Sequence, residues 1–237
     1  MANVITKHIP NSITCCNLIC GCIATSWALS GNYKWALAFI IAGAVFDFFD
    51  GMTARLLHVS SEIGKELDSL ADDVTFGVAP ASMVYTLLYD MHYPTAFVCC
   101  RSWLPYVAFL IAAFSALRLA KFNLDTRQST SFIGLPTPAN ALFWGSLIVG
   151  AESKLSHLSW GLPLILALIG LSCWILVSEI PMFALKFKQW GWKGNEVKYI
   201  FLTTCVPLLL LFGISAFAVI ITWYVILSIY VTSRSGK

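Results

Sequence analysis

An all-α, polytopic membrane helix bundle of about eight transmembrane helices, with both termini cytoplasmic, is the fold this sequence predicts. Three observations carry that prediction. First, 58% of the 237 residues are hydrophobic and only 11% are charged, against roughly 25% charged in soluble domains. A chain with so little charge cannot clothe a soluble surface. Second, it contains long apolar stretches, and a helix crossing the hydrocarbon layer needs about 20 mostly apolar residues. Third, its basic residues divide unevenly between the two ends of those stretches.

Eight spans follow in order: Ile13–Ser30, Trp35–Phe49, Leu67–Leu88, Trp103–Ala120, Pro138–Ala151, Trp160–Ile180, Tyr199–Ile214 and Ser215–Val231. The second and fifth are short, and almost nothing separates the last two. Trp35, Trp103 and Trp160 open spans at one membrane face, and Trp190 and Trp192 lie in a loop at the other, as an aromatic belt requires. No soluble domain, linker or repeat interrupts the pattern. The chain reads as one membrane domain over 1–237, with a core at about 9–180 and additional C-terminal helices at about 199–231. Met1–Pro10 lacks the apolar run of a secretory signal.

Placing the N-terminus on side A puts 12 basic residues there, from Lys7 and Arg55 to Lys237. Only Lys34, Arg101 and Lys154 fall on side B. Positive charge stays cytoplasmic, so side A is the cytoplasmic face. The eight cysteines form no disulfide framework. Cys15, Cys16, Cys20, Cys22, Cys173 and Cys205 fall inside spans as small hydrophobes. No Cys/His grouping has zinc spacing, and all four histidines are read as interfacial.

Ionisable groups inside spans are costly and point to function. Asp47, Asp50, Asp68, Asp72 and Asp73 lie in or at the side-A ends of the second and third spans. Asp47, Asp50, Gly51 and Ala54 follow i, i+3, i+4, i+7 and share one helix face. Gly64, Asp68 and Asp72 follow i, i+4, i+8 and share another. A short connection makes the two helices antiparallel neighbours, so four carboxylates can converge on one pocket at the membrane surface. Asp73 is about 100° further round its helix and faces elsewhere. Clustered carboxylates suit a divalent cation with hard oxygen ligands, Mg²⁺, Mn²⁺ or Ca²⁺. Spacing alone leaves two other readings open: pairing with Arg55 and Lys65 or helix capping, and an ion- or proton-coupled transporter.

Residues 47–72 read Asp-Phe-Phe-Asp-Gly-Met-Thr-Ala-Arg, eight residues, Gly-Lys-Glu-Leu-Asp-Ser-Leu-Ala-Asp. This resembles the CDP-alcohol phosphatidyltransferase signature, Asp-x-x-Asp-Gly-x-x-Ala-Arg, eight residues, Gly-x-x-x-Asp-x-x-x-Asp, at every fixed position. Three further stretches resemble the branch of that family that uses serine: residues 9–14 with Asn17 and Gly21, residues 72–80, and residues 116–123 with 132–138. The resemblance implies transfer of the phosphatidyl group of CDP-diacylglycerol to L-serine, with release of CMP, at the cytoplasmic face of the cell membrane. It implies Mg²⁺ or Mn²⁺, as a pair of ions, on Asp47, Asp50, Asp68 and Asp72. Asp72 doubles as the general base. Thr14, Asn17, Asp47, Gly51, Ala54 and Arg55 take the CDP-lipid. It also implies a homodimer among membrane lipids, and no nucleic-acid partner beyond the nucleotide itself.

The acceptor is less legible. The carboxylate of serine wants a cation, and Arg118, Lys121 and Arg127 lie on side A, with Asn123 beside them. Each basic residue also reads as a positive-inside anchor. Phe132–Pro138, rich in Gly and Pro, is an ordered loop placed to close over the acceptor. Glycerol 3-phosphate is the alternative acceptor. In a background without native cysteines, labels near Met1 and Lys237 should react only from the cytoplasmic side, and a label near Asp90 only from outside. Termini on opposite sides would mean an odd number of spans.

Overall fold

The computed structural model describes residues 4–59, 61–125, 132–158, 160–183, 191–192 and 195–235. Helix α1 spans Val4–Leu29 and α2 spans Tyr33–Leu56. Helix α3, Glu62–Asp72, runs through a π segment, Asp73–Val78, into α4, Ala79–Asp90. Two 3₁₀ turns precede α5, Leu110–Leu124. Then come α6, Thr137–His157, α7, Gly161–Val177, α8, Glu196–Phe212, and α9, Ala216–Ser235. The only extended pairing among the described residues is a two-residue antiparallel ladder, with Phe132 opposite Met182 and Ile133 opposite Pro181.

The protein is an all-α helical membrane protein. Among the described residues, four helical stretches are long and apolar enough to cross a bilayer: His8–Leu29, Tyr33–Leu56, Leu104–Leu124 and Glu196–Ser233. Gly161–Val177 is a shorter apolar helix. Gly213, at φ 54°, breaks the last of the four between α8 and α9. Two expected boundaries move. The second predicted span, Trp35–Phe49, is short because it stops at the polar residues; α2 continues past Asp47 and Asp50 to Leu56, 24 residues in all. The fifth, Pro138–Ala151, is part of a 21-residue α6 that runs on through Lys154 to His157. Backbone hydrogen bonding carries both helices beyond their apolar runs.

Direct ties place several helix ends together. Ser61 caps α3 by accepting from the Gly64 N–H at 2.9 Å. Lys65 on α3 donates to the Asn123 carbonyl at the end of α5 at 3.0 Å. Lys121 donates to the Val177 carbonyl at the end of α7 at 3.4 Å. Leu135, just before α6, donates its N–H to the Ile175 carbonyl at 3.2 Å. The ends of α2, α5 and α7 and the starts of α3 and α6 therefore share one end of the bundle. Gly134, at φ 73°, is what lets the 132–135 segment turn under the last carbonyls of α7. The core behind this end is apolar and fully buried, around Ile40, Phe76, Met83, Trp144, Ile148 and Ile165.

The π segment decides how closely α1 and α2 approach. A π turn adds one residue per bond ring and shifts the phase of the residues after it. Here it presents Thr75 to both helices, and Thr75 Oγ1 donates to the Asn17 carbonyl at 3.0 Å. Thr75 is fully buried. A Cβ at Gly43 would lie 2.5 Å from Thr75 Cγ2, and one at Gly21 would lie 2.9 Å from the Thr75 backbone. Gly21→Val or Gly43→Val should therefore push the three elements apart, at about 1–3 kcal/mol of overpacking. A lowered Tm in detergent checks this, and an unchanged Tm for both variants would show that the crossing tolerates side chains.

Candidate active site

The carboxylates enter the bundle end from α2 and from the α3 rod. One oxygen each of Asp47, Asp50 and Asp68 lies within 4.8 Å of the other two. Asp72 joins the same electrostatic group, with Asp47, Asp68 and Asp50 as its charged neighbours. The i, i+3 and i, i+4 spacings set two carboxylates on one face of each helix, and the packing of the two faces brings the four predicted residues together. Asp73 turns the other way. Its Oδ1 is 2.6 Å from the point that a Gly77 Cβ would occupy, and Ser115 Cβ of α5 is 3.0 Å from the same point. It faces α5; its helical phase predicted only that it would face away from the other four.

Polar groups on α1 hold the carboxylates in place. Thr14 Oγ1 is within 2.7 Å of Asp50 Oδ2, to which it donates, and Asn17 Nδ2 donates to Asp72 Oδ1 at 3.1 Å. Asn17 is fully buried and Thr14 nearly so. Among the described residues, no carboxylate of the group is ion-paired with Arg55 or Lys65. Lys65 is spent on the Asn123 carbonyl, and Arg55 is exposed, with Nη2 lying 4.0 Å from the point that a Gly51 Cβ would occupy. Nor is any of the four aspartates the side-chain cap of its helix; Ser61 does that for α3. The pairing-and-capping reading loses its support.

Beside the carboxylates lies a cavity of about 270 Å³. Thr14, Gly51, Ala54, Gly64, Asp50 and Asp68 are in its wall. Five of these came from sequence spacing and family resemblance as ligand-facing positions, and Gly64 came from the signature. Gly51 has no side chain closer than Arg55, so its backbone is open to a ligand. Two features fit a divalent cation here: three convergent carboxylates, and a buried Asp68 Oδ1 that makes no hydrogen bond. Such oxygens are what Mg²⁺ or Mn²⁺ requires.

The predicted acceptor residues separate into two places. Arg118 and Lys121 line one cavity of about 300 Å³ with Asp125, Ile133, Ser178 and Glu179. Arg118 is buried, stacked on the Phe122 ring at 5.1 Å and under the influence of the Asp72 charge. Asn123 is outside that wall. Its amide donates to Ser69 Oγ at 2.7 Å and its carbonyl receives Lys65, so it ties α5 to α3. The loop expected over the acceptor is pinned, through Phe132–Gly134, to residues 180–182, and its Ile133 lines the cavity that holds Arg118 and Lys121. Arg127 lies outside the described residues. Sequence reasoning missed this clamp and the pivotal place of Thr75, because both are contacts between distant segments.

A family model described as CDP-alcohol phosphatidyltransferase matches residues 7–175. The CDP-diacylglycerol–serine O-phosphatidyltransferase of Bacillus subtilis (strain 168) is 42% identical over 137 residues, covering 56% of this chain and 70% of the relative. The enzyme of the same name from Helicobacter pylori (strain ATCC 700392 / 26695) is 33% identical over 197 residues, covering 82% and 79%. That from Mycobacterium bovis (strain ATCC BAA-935 / AF2122/97) is 36% identical over 141 residues; 56% of this chain matches 46% of it. The chain thus matches about half the length of the mycobacterial relative.

Removing an outer-shell partner of a metal ligand typically weakens metal binding by about 10- to 100-fold. Thr14→Val should lower Mn²⁺ affinity of the purified protein by about that factor, read by electron paramagnetic resonance. Lys65→Met, which removes an amine held by Asn123, should change it far less. Equal affinities for wild type and Thr14→Val would remove Thr14 from the site.

Proposed function

We propose, from the premise that this chain belongs to the CDP-alcohol phosphatidyltransferase family, that it transfers the phosphatidyl group of CDP-diacylglycerol to the hydroxyl of L-serine, giving phosphatidylserine and CMP. The observation that carries this is the meeting of Asp47, Asp50 and Asp68 beside a cavity walled by Gly51, Ala54 and Gly64. The names of the relatives supply the acceptor.

In this reading Asp47, Asp50, Asp68 and Asp72 hold a pair of divalent ions, Mg²⁺ or Mn²⁺, whose charge would neutralise the pyrophosphate of the donor. Thr14, Asn17, Asp47, Gly51, Ala54 and Arg55 bind the CDP-lipid, the small residues by letting the nucleotide lie against the helix. Asp72 takes the proton of the serine hydroxyl. Asn17 donates to Asp72 Oδ1 and so orients the carboxyl that takes it. The serine oxygen then bonds to the phosphorus next to the diacylglycerol, the bond from that phosphorus to CMP breaks, and CMP leaves. Arg118 and Lys121 receive the serine carboxylate, and Asn123 supports them by tying α5 to α3.

The same reading sets the molecule in its membrane. Eight spans cross the bilayer of the cell with both termini and the site cytoplasmic. Residues 9–180 form the transferase core within a single domain, about 199–231 add C-terminal helices, and the working form is a homodimer.

General base catalysis is worth typically 10²–10⁴-fold in rate. With CDP-diacylglycerol, serine and Mn²⁺ in detergent, Asp72→Asn should lose CMP release by about that factor, and Asp73→Asn much less. Glycerol 3-phosphate in place of serine should give little product. Near wild-type turnover by Asp72→Asn, or greater damage in Asp73→Asn, would remove Asp72 as the base. No CMP release by the wild type, alongside ion flux in sealed vesicles, would favour a transporter.

A further inference from the structure

A third cavity, of about 290 Å³, lies away from the carboxylates, in a groove with α6 as its floor and α7 and α9 as its walls. Helices α7 and α9 both pack on α6 but scarcely on each other. The groove shares no residue with the cavity beside the aspartates. Its rim is apolar and outward-facing, with Leu171, Trp174, Ile226 and Ile229 all more than two fifths exposed. In a membrane protein such a rim faces lipid.

The floor carries one polar group that the fold does not satisfy. Asn140 is 1% exposed. A hydrogen-bond chain runs in one direction through it: Trp144 Nε1 donates to Ser172 Oγ at 3.1 Å, and Ser172 Oγ donates to Asn140 Oδ1 at 2.7 Å. The chain ends on the oxygen, so the amide presents its nitrogen. Asn140 Nδ2 finds no acceptor among the described residues. A buried donor left unmade typically costs about 1–3 kcal/mol. The other hydroxyl in the wall, Thr222, is already bonded to the Ala218 carbonyl at 2.8 Å.

The occupant must therefore bring a neutral acceptor at one end of an apolar chain. Among the described residues, no Lys, Arg or His lines the groove, so a fatty carboxylate would be left without a counter-charge, whereas an ester carbonyl needs none. The depth agrees. Asn140 is three residues inside α6 from Thr137, about 4.5 Å along the axis, at the end of the bundle where the carboxylates lie. That is where lipid esters sit, between head groups and hydrocarbon. From Ile229 the groove follows α9 inward to Ile221, about 12 Å, which gives a chain a track to follow. We propose that this groove binds one ester-linked glycerophospholipid of the surrounding bilayer, with its acyl chain between α7 and α9 and an ester carbonyl accepting from Asn140 Nδ2.

The test reads lipid retention rather than turnover, so it stands apart from the proposed reaction. Protein is reconstituted with diacyl phosphatidylglycerol or its dialkyl ether analogue, extracted gently, and weighed by native mass spectrometry. Wild type should retain one diacyl lipid per chain and hold it roughly five- to tenfold better than the ether form, the worth of one neutral hydrogen bond. Asn140→Leu should erase that preference. Ile226→Trp, which fills the groove from its exposed rim and touches none of the hydrogen bonds, should lose the lipid while keeping its Tm. Equal retention of ester and ether lipid by wild type, or undiminished retention by Ile226→Trp, would overturn the proposal.

Discussion

Everything at the working end of this protein follows from holding several carboxylates together inside an apolar bundle. Two unit charges 4 Å apart repel by about 4 kcal/mol at an effective dielectric of 20. Net stabilities of whole domains are only about 5–15 kcal/mol. Carboxylates within 4.8 Å of one another therefore need a counter-charge, and they need a frame stiff enough to resist spreading until it arrives.

The frame is built from small residues and a few hydrogen bonds. Between membrane helices, close approach of backbones and polar side-chain contacts take over from the hydrophobic effect. Gly21 and Gly43 admit Thr75, and Thr75 fastens the π segment to α1 through the Asn17 carbonyl. Asn17 then spends its amide on Asp72, and Thr14 its hydroxyl on Asp50. Helix α1 contributes no carboxylate to the group, yet it orients one from each of the two helices that do.

The outer helices extend the same logic sideways. Residues 132–135, bonded to residues 180–182 and to the Ile175 carbonyl, pin the end of α7 beside α5, so that Arg118 and Lys121 line one cavity. Helix α9 reaches that end too: Tyr224 donates to the Phe183 carbonyl at 2.9 Å and Thr232 to the Pro181 carbonyl at 3.2 Å. The C-terminal helices thus buttress the segment that shapes the cavity around Arg118.

What could be read along the chain was whatever depends on period and composition. Apolar run length marked the helices, and the i, i+3, i+4 rows marked Asp47, Asp50, Gly51 and Ala54 on one face and Gly64, Asp68 and Asp72 on another. Side chains on one helix face stay neighbours wherever the helix packs, so local spacing sufficed to group the residues within each face, and it also turned Asp73 away. Tertiary packing alone decided the rest. It set the π segment and its Thr75 contact, it made Asn123 a brace rather than part of the wall around Arg118, and it tied the Gly-Pro loop to residues 180–182. Each of these is a bond between segments tens of residues apart, where no periodicity links one partner to the other. A one-dimensional pattern can show which residues share a face; which face meets which is settled by the fit of backbones in three dimensions.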